Sequence, residues 1–179
     1  MIKHASNVIK RTKLGTYPFP YLFVKNLIPP RELKKLNKVL PSFKDVSGDD
    51  VLYQSTSETK KTLLPSSSIY KKVIKEKSFR KIDKLFRDLK PLIIKKFKPF
   101  IEANVRKKYQ RSSLKYHSSF SLMKKGYKKS SHLDRRDHLF HILFYPYSDG
   151  NSGGELRLDK LKNNYKTFDI FPGKKDLKT

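Results

Sequence analysis

Cysteine is absent from this 179-residue chain, which excludes a disulfide framework, a thiolate metal site and a cysteine nucleophile. That suits a reducing compartment. Long apolar runs are missing too: none approaches the ~18 to 20 residues that cross a bilayer, and the opening Met1-Ile2-Lys3-His4-Ala5-Ser6 has no apolar signal-peptide region. A soluble, cytoplasmic protein with no transmembrane segment is expected. Acidic residues are scarce, 16 Asp and Glu against 42 Lys and Arg, for a formal net charge of +26. From Lys90 to Lys129 there are 13 basic residues and one acidic, Glu102, a net charge of +12. Charge of this density attracts polyanions, nucleic acid first and anionic membrane second. The excess of Lys over Arg is also what AT-biased coding yields, with solvated faces as its only consequence. No RNP-type aromatic motif, zinc-finger spacing or helix-turn-helix signature accompanies the charge, so non-specific polyanion binding rests on charge alone.

What is present reads as one domain, because the length suits a single core of the usual size. Residues 1–16 show no clear period and read as a loose basic leader. Phe19 to Lys25, aromatic and branched, predicts a short strand. Pro29-Pro30 opens a helix over 30–40, with Leu33, Leu36 and Leu40 as its apolar stripe and Pro41 as its stop. Residues 42–68 are polar and predict a surface connection with one strand at Val51 to Tyr53. Ser66-Ser67-Ser68 and Ser78 are candidate helix caps. Phe79, Ile82, Leu85, Phe86 and Leu89 recur at helical spacing. Pro91 restarts the helix toward residue 107, and Pro99 should kink or break it.

From Ser112 the period changes from 3.6 to 2. Leu114, Tyr116, Ser118, Phe120 and Leu122 alternate, Gly126 marks a turn, and His132-Leu133-Asp134 follows. Residues i and i+2 of a strand project from one face, so His132 and Asp134 can bring an imidazole nitrogen and a carboxylate oxygen to one point. That is two-thirds of the two-His, one-carboxylate set that holds non-haem Fe(II) with open positions. Leu139 to Tyr145, apolar on both faces, predicts a strand buried between layers. The turn signal Asp149-Gly150-Asn151-Ser152-Gly153-Gly154 and two further strands, 155–158 and 166–171, follow it.

This cassette resembles the iron- and 2-oxoglutarate-dependent dioxygenases of the prolyl-hydroxylase-like group. There, a Gly-containing turn leads to His-x-Asp, then a hydrophobic strand ending in aromatics, then Gly-Gly-Glu-Leu, here Gly153 to Leu156. Tyr17 to Val24 with Leu27-Ile28-Pro29-Pro30 looks like the family's opening strand and helix. The fold expected is α+β, with N-terminal helices (in 17–111) packed on an incomplete double-stranded β-helix of antiparallel strands, a jelly-roll variant (112–179). The resemblance implies Fe(II) held by His132 and Asp134, 2-oxoglutarate as co-substrate with Tyr145 hydrogen-bonded to it, and ascorbate as the reductant that restores the iron. It implies hydroxylation of a prolyl or other peptide side chain, or of a small molecule. His141 shares a face with Tyr145 by alternation, and with Leu143 is a candidate for lining the pocket. A satisfied core His and an amphipathic core-edge Tyr are the plainer readings of His141 and Tyr145.

Two parts of the family pattern are missing. The second His lies in the family well past Gly-Gly-Glu-Leu, followed by an Arg or Lys that pairs with the far carboxylate of 2-oxoglutarate. Here only His138 and His141 follow Asp134. A truncated reading frame, a degenerate relative and completion by a separate chain all account for this, and the chain as it stands is expected to be inactive. Met123-Lys124-Lys125 also stands where the family places a second co-substrate Tyr. A non-catalytic nucleic-acid-binding protein and a dead β-helix scaffold are the alternatives.

Overall fold

One 20-residue helix organises the chain. In the computed structural model, which describes residues 1–17, 19–53, 57–105, 115–128 and 139–146, helix α4 spans Lys77–Lys96, and the helices named below pack around it. Ile82, Leu85, Phe86 and Leu89 recur at three- and four-residue spacing and are all buried, which gives α4 its core stripe. The exposed turns carry i, i+4 ion pairs, Lys84 with Asp88 at 2.8 Å and Arg87 with Asp83 at 2.9 Å.

The N-terminus is the first correction. Residues expected as a loose leader form helix α1, Ile2–Arg11, with Ala5 and Ile9 fully buried against α4. Two buried positions four apart make too short a stripe to register among the lysines. Lys96 Nζ closes the end of α1 by donating to the carbonyls of Ile9 at 2.8 Å and Lys10 at 3.0 Å, a cation at the negative end of the helix dipole. The strand expected over Phe19 to Lys25 is replaced by a single antiparallel bridge between Gly15 and Tyr21. Any Cβ at Gly15 would lie 2.4 Å from the Tyr21 ring, so the close approach requires glycine.

Helix α2, Pro30–Asn37, starts on its proline as expected and buries Leu36 against the same core, with Leu33 and Leu40 partly buried beside it. Helix α3, Ser68–Lys75, is capped by Ser67, whose Oγ accepts from the Tyr70 N–H at 3.1 Å. Ser78 caps nothing, since α4 begins one residue before it with no side-chain cap. Pro91 sits within α4 and does not restart it. The break comes at Phe97 (φ −93°, ψ 5°), and Pro99 lies in the first turn of α5, Lys98–Asn104. Phe97, Ile101 and Val105 form a second buried group there.

A third buried group, Val46, Val51 and Leu63, lies under a small sheet. Strand β1, Lys60–Thr62, pairs antiparallel with β2, Ser121–Met123, in the register Lys61 opposite Leu122. Val51 bridges Leu63, and the Leu52 N–H donates to the Thr62 carbonyl at 2.8 Å, so a short third segment lies along the other edge of β1. After β2 the chain turns, with the Tyr127 N–H donating to the Lys124 carbonyl and Gly126 at φ +90°, where the sequence placed a turn.

The expected double-stranded β-helix is contradicted. Helix makes up 48% of the described residues, and the only sheet among them is this two-stranded one. Residues 115–120 alternate in sequence but form no strand, and neither does 139–146. Residues 139–146 pack on helices instead. The Phe140 ring lies 5.2 Å from that of Phe97, and the Phe144 ring 5.4 Å from that of Phe86. The pairing of Phe140 with Phe97 and of Phe144 with Phe86 runs the segment antiparallel to α4. Asn37 on α2 holds its end by donating from Nδ2 to the Pro146 carbonyl at 3.1 Å. The strands expected at 155–158 and 166–171 lie outside the described residues.

Candidate functional site

Packing of 139–146 on the helices sorts its side chains. Leu139, Phe140 and Phe144 are partly buried against the groups on α4 and α5, while His141, Ile142, Leu143 and Tyr145 are exposed. Leu143 is 55%, Tyr145 50% and Ile142 48% exposed. The expectation of a strand buried on both faces is therefore overturned, and burial at 139 with exposure at 142 departs from strict alternation.

His132 and Asp134, the two candidate iron ligands, lie outside the described residues. Among the described residues no group of three His, Asp or Glu side chains is placed to hold a metal ion. The described part holds neither candidate ligand. What it does fix is the flanks of the candidate motif: the Gly126 turn on one side and the helix-packed 139–146 on the other.

A polar cluster beside α4 is not foreseen from the sequence. Tyr116 Oη donates to Asp83 Oδ1 at 3.0 Å, and Arg87 Nε donates to Asp83 Oδ2 at 2.9 Å. The Arg87 guanidinium lies 4.5 Å from the Tyr116 ring centroid, completing a three-residue cluster. Partial burial, with the Asp83 carboxylate at the hydroxyl, pushes the Tyr116 pKa up to about 12. The same carboxylate raises Arg87 above its ordinary value. Asp83 and Arg87, four apart on a helix, were the available signal; their partner 33 residues away was not. The cluster anchors the chain leading into β2 to α4, so its role is placement. No known protein family, curated protein or solved structure matches the chain.

Proposed function

We propose that the chain carries part of the metal site of an Fe(II)- and 2-oxoglutarate-dependent hydroxylase acting on a prolyl or other peptide side chain. One observation carries this reading: the order Gly126, His132-x-Asp134, an aromatic-ended apolar segment and Gly153-Gly154-Glu155-Leu156. The Gly126 turn, in the place the motif order requires, supports it.

Bound Fe(II) with 2-oxoglutarate and oxygen supplies the oxidation of an unactivated C–H bond, and ascorbate keeps the metal reduced. The chain's own part is to hold and orient: His132 and Asp134 as ligands, Tyr145 as a hydrogen-bond donor to the co-substrate, Leu143 and His141 as lining. Two ligands hold a divalent ion less firmly than the full facial set. Lack of cysteine is consistent with a cytoplasmic setting, and no helix among the described residues is long and apolar enough to cross a membrane.

Anaerobic titration with Fe(II) and 2-oxoglutarate, followed by the metal-to-ligand charge-transfer absorption, tests the reading. A weak complex lost on His132→Ala and on Asp134→Ala is expected. A complex indifferent to both substitutions would sink it.

A further inference from the structure

The lysines of this protein are placed in two different ways. On α2, α4 and α5 the ion pairs seen among the described residues give Lys35, Lys84, Arg87 and Lys98 a carboxylate each. Around the sheet, aromatic rings stand beside the lysines. Lys61 and Lys124 both stand over Phe43, 4.5 and 5.3 Å from its centroid, and Lys60 lies 5.9 Å from the centroid of Tyr127. The register causes it: with Lys61 opposite Leu122, residues 122 and 124 share the face of Lys61.

Neither Lys61 nor Lys124 pairs with a carboxylate among the described residues. Lys61 Nζ donates to the carbonyls of Phe43 and Val46, which fixes it in place without neutralising it. Lys44, Lys125 and Lys128, adjacent in sequence to these groups, are exposed. Four acids are near in sequence, Asp45, Asp49, Asp50 and Glu58; Asp45 accepts from the Ser42 N–H at 2.7 Å and Asp50 from the Ser47 hydroxyl at 2.9 Å. At the other edge of β1 stands Tyr53, 78% exposed, two residues on from the Val51 bridge to Leu63.

We propose that this sheet binds single-stranded nucleic acid along its exposed rim, phosphates on Lys124 and the exposed lysines beside it and an unstacked base on Tyr53. Two ammonium groups over one ring lie within about 10 Å of each other and repel; a phosphate between them turns that repulsion into attraction. Lysines act as point charges that accept phosphates in any sequence, and an exposed ring stacks on any base, so the surface suits a single strand read without sequence preference. A duplex keeps its bases stacked and gives the rings nothing to take. The inference stands on this geometry and is independent of the iron reading.

The test is fluorescence anisotropy of a labelled oligothymidylate of about 12 nucleotides with the whole chain, between about 50 and 200 mM salt. Lys124→Gln with Lys125→Gln should weaken binding about tenfold at low salt and flatten the log-log salt slope by about 0.7 for each phosphate no longer neutralised. Tyr53→Ala, with no buried ring to lose, should weaken binding about tenfold and leave the slope unchanged. Lys35→Gln with Lys84→Gln removes the same charge from the ion-paired helices and should change affinity less than twofold. Equal weakening by that helix pair, no effect of Tyr53→Ala, or equal or tighter binding to a duplex or to phosphatidylserine vesicles would overturn the proposal.

Discussion

The Tyr116 hydroxyl donates to Asp83 on helix α4 at 3.0 Å, tying the residues before β2 to the central helix across 33 positions of chain. Because partial burial and the Asp83 carboxylate raise the Tyr116 pKa from 10.0 to about 12, folding favours the protonated form. The sign follows: the contribution is present in full below pH 10 and is lost as pH rises toward about 12. Tyr116→Phe should cost about 1 kcal/mol near neutrality, low for a bond to a charged acceptor because the group is half exposed. Urea unfolding of both proteins between pH 9 and 12 checks this, and the difference between them should shrink as Tyr116 ionises.

Leu89 is 1% exposed at the meeting of α1, α2 and α4. Leu89→Ala should cost ~2 to 5 kcal/mol through lost transfer energy and the cavity left behind. Leu52→Ala, at a position 39% exposed, should cost under about 1 kcal/mol. Denaturant midpoints with unchanged slopes would establish the contrast.

Pro91 interrupts no helix, yet it withholds an N–H from the carbonyl of Arg87 and crowds it. Pro91→Ala should restore that bond and stabilise the protein by about 2 kcal/mol, the gain of up to ~3 kcal/mol being reduced by the freer unfolded chain. Thermal unfolding reads it directly, as a raised midpoint.

Local signals carried far in this sequence where they were dense. The proline start of α2, the Ser67 cap, the apolar stripe of α4 and the break near Pro99 each follow from residues within a turn of one another. Helix α1 escaped because only Ala5 and Ile9 mark its buried side. Strand β1 escaped because Lys60-Lys61-Thr62 has no apolar alternation, and its partner lies some 60 residues on. The β-helix expectation failed for a different reason. An apolar run such as 139–145 satisfies a buried strand and an extended segment lying on a helix equally well, and only its neighbours decide between them. Of the candidate site, the Gly126 turn was legible; His132 and Asp134 fall outside the described residues.

The iron proposal turns on where a divalent ion binds. Anaerobic addition of Mn(II) to the isotope-labelled chain, with paramagnetic broadening of backbone amide signals as the readout, locates that position without requiring turnover. Broadening centred on His132 and Asp134, reaching Tyr145 and abolished by His132→Ala, is the predicted result. Broadening centred on the acidic turn at Asp49 and Asp50, and unchanged by His132→Ala, would contradict it.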